Sequence, residues 1–250
     1  MKQIKYLIRI CVILAIVQFY ACEKLIDHLP GKPKNCRVKR IYFDLQVSTD
    51  HYGVFYYNKW GNPDSVIYGH TGTALTNQFF RYNHKQQLIQ ARFTYEGGGV
   101  ERLHRYGYTK GVITTDTSYS WPSQEEPEPL HYVNKSIIYF EYDNYGRIIK
   151  EKRNLIYPAN VTDSFIYQYN SHGNRIYGSN VSFDNYNNIY TTHPIWQFLS
   201  RDYSLNNPAQ AASYNNFRLP TKFDSPHDFF SSHFFLDRML NKSVIEYECK

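Results

Sequence analysis

The sequence has little methionine, little net charge and no long apolar run. Methionine occurs twice, whereas tyrosine occurs 25 times and phenylalanine 16 times. Because aromatic side chains pack well on a pleated sheet, this balance favours strands over helices. The formal net charge of +6 is dispersed along the chain, so there is no basic footprint for nucleic acid. The longest apolar run, residues 10–17, is too short to span a membrane.

Motifs for catalysis or metal binding are also missing. The ten histidines are scattered, and none has the His-Glu-x-x-His spacing that places two zinc ligands on one helix face. There is no Gly-x-Ser-x-Gly nucleophile elbow and no phosphate-binding loop. His227 and Asp228 are neighbours in a predicted helical turn, so they do not face each other. We therefore predict no enzyme activity, no cofactor and no metal site.

The N-terminus has the order of parts found in a signal peptide. A basic start and the apolar core at residues 10–17 lead to Ala21 and Cys22. Ala21 and Cys22 resemble the end of a bacterial lipobox. The resemblance implies that residues 1–21 are removed and that Cys22 carries a diacylglycerol, which has enough acyl chain for stable membrane association. An ordinary signal peptide cut elsewhere and a retained N-terminal anchor are the alternatives.

Removal of this leader changes both the charge and the cysteine content. Three basic residues and no acid leave with it, so 25 basic and 22 acidic residues remain and the formal charge falls to +3. Cys11 leaves and Cys22 is lipidated, so only Cys36 and Cys249 remain as thiols. An exported protein permits a disulfide between these two if the first and last strands are neighbours, and free thiols are the alternative.

We expect a lipidated tether at residues 22–35, where proline and glycine break regular structure, and one β-rich domain at residues 36–250. Within that domain a pattern recurs: an aromatic residue, then Asn or Asp, then a turn that often holds Gly, then an apolar strand. Asn or Asp starts a turn and Gly adopts a left-handed conformation, so each copy predicts a β-hairpin. The copies are residues 55–62, 80–86, 140–147 and 167–174, with a weaker one at 183–189.

These copies resemble the tyrosine–aspartate (YD) repeats of RHS-type bacterial surface proteins, and the whole chain is similar to small Bacteroidota lipoproteins of unassigned function. The resemblance implies hairpin architecture more than it implies a function. A long insertion, residues 97–132, is predicted to interrupt the copies. It holds three glycines, and its acidic, proline-rich part at residues 122–129 is predicted to be an exposed loop.

The C-terminal quarter has a different pattern. Residues 193–199 predict one or two helical turns, and residues 216–223 predict a strand broken at Pro220. Residues 225–239 predict a short apolar helix over one end of the sheet, and residues 243–249 predict a final strand. The predicted fold class is therefore all-β: consecutive antiparallel hairpins in a curved sheet or open barrel, with short C-terminal helices.

Four aromatic residues are candidates for ligand contacts: Trp60, Trp121, Tyr145 and Tyr186. Flat aromatic faces stack on sugar rings, but tyrosines in strands also pack the sheet.

The leading prediction is a non-catalytic lipoprotein of the cell envelope, held at the outer membrane by its N-terminal lipid, which acts by binding or assembly with a glycan or an envelope protein. A carbohydrate-binding accessory lipoprotein is one alternative. An envelope hydrolase whose catalytic residues come from distant segments is another.

Overall fold

The computed structural model describes residues 36–43, 51–72, 75–123, 131–177, 181–208, 211–224 and 242–250. All of them belong to one compact unit, Pro33–Lys250. The leader, Cys22, the tether and the helix expected at residues 225–239 lie outside the described residues.

Among the described residues, thirteen strands form one antiparallel sheet. They are β1 Cys36–Phe43, β2 His51–Tyr57, β3 Pro63–Tyr68, β4 Asn77–Tyr82, β5 Leu88–Thr94, β6 Val100–Thr109, β7 Val112–Ser120, β8 Asn134–Tyr142, β9 Ile148–Tyr157, β10 Val161–Ile166, β11 Ser213–Tyr214, β12 Pro220–Phe223 and β13 Ser243–Cys249. The spatial order runs from β10 back to β1 and then through β13 and β12 to β11. The edge strands β10 and β11 do not pair, so the sheet is open. The prediction of an all-β fold of consecutive hairpins is confirmed.

One turn motif recurs in the predicted hairpins. The Asn or Asp backbone N–H donates to the carbonyl four residues on, and its side-chain oxygen accepts from the N–H groups two and four residues on. These turns begin at Asn58, Asn83, Asp143 and Asn170. The residue three positions on has a positive φ, as at Gly61 (89°), which an L side chain adopts only with strain. This is the hairpin loop that ends in a left-handed residue and a bulge.

Three sequence expectations were wrong in this region. Residues 97–132 do not interrupt the hairpins, because residues 100–109 and 112–120 are strands of the same sheet and Tyr95–Gly99 is an ordinary hairpin turn. The strand expected at residues 216–223 begins only at Pro220, since Asn215 starts another copy of the turn motif. Residues 183–189 form no hairpin. The Asp184 carboxylate accepts from the N–H of Tyr186, as in the turn motif, but the Asp184 N–H donates to the distant Asn207 carbonyl rather than to the carbonyl four residues on.

A single α-helix occurs in the described part of the chain, α1 Pro194–Ser200, directly after a 3-10 turn at Ile189–Thr192. His193 caps it: its Nδ1 accepts from the N–H of Ile195 at 3.1 Å. Pro194 takes the first helical position, where its missing N–H costs nothing. Burial, with the charge of Arg37 adding to it, lowers the pKa of His193 to about 4, so the imidazole is a neutral acceptor at neutral pH.

This helix lies on the inner face of the sheet, and the sheet curves around it. Trp196 packs edge-on against Phe55 of β2 at 5.5 Å between ring centroids, while Arg201, just beyond the helix, reaches Glu151 of β9. Seven strand spacings separate β2 from β9, about 34 Å on a flat sheet. Trp196 and Arg201 are only about 7.5 Å apart along a helix axis. Such contacts require a curved sheet with the helix on its concave side.

Tyrosine side chains tie neighbouring strands together at one end of this sheet. In each case a tyrosine hydroxyl donates to the backbone carbonyl near the start of the adjacent strand. The pairs are Tyr57 to Val38, Tyr82 to Pro63, Tyr108 to Leu88, Tyr142 to Ile113, Tyr169 to Ile148 and Tyr247 to Pro220. A buried phenol needs such a partner. Most turn-proximal tyrosines are therefore structural.

These tyrosines predict a loss of stability at alkaline pH. Burial raises the pKa of Tyr108 to about 12 and raises the pKa values of Tyr82 and Tyr142 further. The unfolded chain releases these protons near pH 10 and the folded chain holds them. Stability is therefore unaffected below pH 10 and falls as the pH rises from 10 through 12. Tyrosinate absorbance and far-ultraviolet circular dichroism should change together over that range. Full titration near pH 10 with an unchanged dichroism spectrum would contradict this.

Candidate functional site

The structure separates the four aromatic candidates. Trp60 and Tyr145 each occupy the third position of the turn motif, and they are 60% and 84% exposed. Trp121 lies at the other end of the strands. Tyr186 stacks on the ring of Tyr214 at 3.8 Å. The four side chains do not form one surface.

Trp121 and Tyr186 already have aromatic neighbours. Trp121 stacks on Tyr95 with ring centroids 5.6 Å apart. Tyr186 stacks on Tyr214, and the Arg218 guanidinium also lies 5.3 Å from the ring centroid of Tyr186. Trp60 and Tyr145 have cations beside them: Lys59 Nζ lies 4.4 Å from the ring centroid of Trp60, and the Arg147 guanidinium lies 5.0 Å from that of Tyr145. A stacking ligand therefore meets Trp60 and Tyr145 as separate exposed rings on separate turns.

All copies of the turn motif lie at one end of the sheet, which we call the turn end. Neighbouring strands are antiparallel, so every connection that follows an even-numbered strand from β2 to β10 is at the same end. The turn that starts at Asn215 is there too, because β12 begins at the end where β13 finishes. Cys36 begins β1 beside Cys249, so the domain also starts at the turn end. We call the opposite end of the strands the far end.

The most concentrated group of charges lies in the interior. Arg201, Glu151 and Asp116 are only 5%, 3% and 1% exposed. Arg201 Nε donates to Glu151 Oε1, and Arg201 Nη2 lies 3.6 Å from Asp116 Oδ2. Asp116 Oδ1 lies 2.9 Å from His104 Nδ1. These four residues form what we call the buried charge cluster.

The neighbours of Arg201 hold its charge in place. Burial alone would lower the pKa of Arg201, but the carboxylates of Glu151 and Asp116 raise it above its ordinary value. Its guanidinium lies 4.6 Å from the ring centroid of Phe140 and 4.5 Å from that of Phe198. Its backbone is left-handed, with φ of 54°, and its N–H caps the C-terminus of α1. Residues 189–201 cross the concave face of the sheet, and we call them the crossing segment. The cluster fixes this segment to strands β6, β7 and β9.

The chemistry open to the cluster is limited by its burial. A carboxylate only accepts hydrogen bonds, so its contact with His104 requires a proton on Nδ1. Ser118 is the cross-strand partner of His104, but the Ser118 hydroxyl is hydrogen-bonded to that of Ser136 at 2.7 Å. The Asp116 carboxylate also faces Arg201. These contacts suit a structural clamp better than a nucleophile and base that open to substrate.

No group of three or more potential ligands is arranged to hold a metal ion within the described residues. In the same residues there is no helix with the length and apolar character needed to cross a bilayer.

No protein-family model and no curated protein matches the chain. Inference about function therefore rests on its own residues.

The buried charge cluster was not expected from the sequence. One signal was present: Glu151 follows an apolar strand start and pairs in register with Phe140, so it stands on the face that alternation makes apolar. An acid at such a position needs a buried cation. Nothing local identifies that cation as Arg201, which lies 50 positions later in a turn-rich segment.

Proposed function

We propose that the chain is a lipid-anchored, non-catalytic protein of the bacterial cell envelope, held at the outer membrane through Cys22, which acts by binding or assembly. Three features of the leader support this: its basic start, its short apolar core and the Ala21-Cys22 pair. The binding partner is an envelope protein or a glycan.

The observation that carries this proposal is the disulfide between Cys36 and Cys249. The two cysteines are cross-strand partners of β1 and β13, and they close a loop across 213 positions. Disulfides persist in oxidising compartments outside the cytoplasm and are rare inside it. A chain that joins its first and last strands in this way is suited to export, as the leader pattern also indicates.

The internal pairing of the buried charges and the open edge of the sheet support binding rather than catalysis. The buried charge cluster is satisfied internally. In contrast, β10 is an edge strand of the described sheet, and it exposes Val161 (53%) and Ile166 (73%). An exposed edge of this kind is a ready template for strand addition by another chain. This supports assembly with an envelope protein.

Replacement of the lipidated cysteine tests the anchor. In C22A, the chain should remain uncleaved, because the peptidase acts on the lipid-modified cysteine. The mature form should then be missing from the detergent-extracted membrane fraction on an immunoblot. The matched control is C11A, which changes a cysteine of the leader core and should leave processing unchanged. If C22A and wild type are processed and partitioned alike, the proposal fails.

A further inference from the structure

The turn end carries exposed lysines next to exposed aromatic rings. Lys59, Lys85 and Lys110 are exposed, each in a different hairpin connection. Trp60, Tyr145 and Phe217 hold the third position of three copies of the turn motif and are 60%, 84% and 41% exposed. The exposed acids near this end are Asp64, Glu141 and Glu248, and Glu141 is paired with Lys150. Lysine beside tryptophan or tyrosine is the composition that sits at the headgroup level of a bilayer.

One of the hairpin turns at the far end shows the contrast most clearly. Tyr95–Gly99 has the same backbone hydrogen bonds as the turn motif. It carries Glu96 and three glycines where the turns at the other end carry lysine and aromatic residues. Exposed rings also occur at the far end, at Trp121 and Tyr157, so the described hairpin turns at the two ends differ in their lysines rather than in their backbone or in exposed rings alone.

The tether also joins the domain at the turn end. Cys36 is at the turn end, and Cys22 precedes it by 14 positions. Fourteen residues reach at most about 50 Å when fully extended. The lipid on Cys22 therefore keeps the turn end within about 50 Å of the bilayer. The limit on the far end is looser by the length of a strand, about 34 Å for the ten-residue β6.

We infer that the turn end docks on an anionic phospholipid bilayer, with Lys59, Lys85 and Lys110 over the headgroups and Trp60 and Tyr145 at the interface. This inference rests on the proposed anchor at Cys22. Charge complementarity selects the occupant, because a basic residue near an anionic leaflet strengthens attraction about fivefold. Three lysines together contribute about 100-fold to the docked population. The far end, where β10 begins, then faces away from the bilayer.

The three tryptophans allow a direct test on the lipidated protein extracted from membranes. The protein is reconstituted into vesicles of phosphatidylglycerol and phosphatidylcholine with brominated acyl chains, which quench nearby indoles. W121F reports on Trp60, W60F reports on Trp121, and Trp196 is 1% exposed and constant in both. We expect loss of emission in W121F and no loss in W60F.

Matched charge variants test the lysines. K59Q/K85Q/K110Q should abolish the quenching of Trp60, and so should vesicles of phosphatidylcholine alone. R102Q/K152Q/K242Q removes three other exposed charges, away from the turn end, and should leave the quenching intact. Equal quenching in all variants would overturn the role of the lysines.

Other outcomes separate docking from anchoring. Lipidated protein in which Trp60 is not quenched, or in which Trp121 is quenched as strongly, overturns docking while the anchor stands. Iodide quenching of Trp60 is also measured without vesicles at high protein concentration. If Trp60 is shielded from iodide under these conditions, the turn end binds a second copy of the chain, and docking on the bilayer is overturned. If the intact mass shows no acyl group, the anchor fails and the docked geometry fails with it.

Discussion

Replacing Arg201 by alanine is expected to lower the free energy of unfolding by about 3–5 kcal/mol, because two buried carboxylates lose their cation. Glu151 and Asp116 are nearly inaccessible to solvent, so water cannot replace the guanidinium without opening the interior. The variant also loses the ring contacts of Arg201 with Phe140 and Phe198. Urea denaturation followed by tryptophan fluorescence measures the effect, since Trp196 lies in the same crossing segment.

A surface arginine provides the control for this experiment. Arg153 of β9 forms an ion pair with Asp163 of the edge strand β10, but both side chains are partly exposed. R153A should therefore cost no more than about 1 kcal/mol. The double variant E151Q/R201M removes charges from both sides and should be more stable than R201A alone. A loss in R201A as small as that in R153A would show that the buried charge cluster does not hold the crossing segment.

Loss of the disulfide is the other change with a large expected effect. C36S/C249S should lower the free energy of unfolding by about 3–5 kcal/mol, because the bridge closes a long loop and so restricts the unfolded chain. The bridge also pins β13 to β1, which joins the C-terminal strands to the rest of the sheet. Thermal melts with and without reductant measure the effect: wild type should shift and the variant should not. An identical wild-type melt in reductant would contradict this prediction.

The hairpins could be predicted from sequence because their determinants are local. An Asn or Asp such as Asn58 closes its turn with its own side chain and residues within four positions. The tyrosine before it alternates inward and finds a carbonyl in the adjacent strand. Where the local signal was weaker the prediction failed: residues 216–219 were assigned to a strand, although they belong to the turn that Asn215 starts, in which Arg218 adopts a left-handed φ of 62°.

The contacts across the sheet could not be predicted, because they depend on distant segments. The contact between Arg201 and Glu151 joins parts of the chain 50 positions apart, and it forms only when α1 crosses the concave face. The Cys36–Cys249 bridge was predicted only on the condition that β1 and β13 are neighbours, which the sheet order satisfies. The covalent chemistry of cysteine made that one long-range contact visible in the sequence.

The sequence identified candidate residues of the site by their type, but it did not predict how they are arranged in space. Sequence patterns identified Trp60 and Tyr145 as turn aromatics, and both are exposed. They did not reveal that Trp121 lies at the far end against Tyr95, or that Tyr186 is stacked on Tyr214. Strand direction decides which turns share an end, and strand direction follows from the full sheet order. The asymmetry between the two ends therefore emerged only from the fold.

The intact mass of the protein extracted from bacterial membranes tests the central claim most directly. The account predicts a chain that begins at Cys22, carries a diacylglyceryl group, and is lighter by two hydrogen atoms than the form with free thiols at Cys36 and Cys249. A chain that still begins at Met1, or one that is cut elsewhere and carries no lipid, would contradict it.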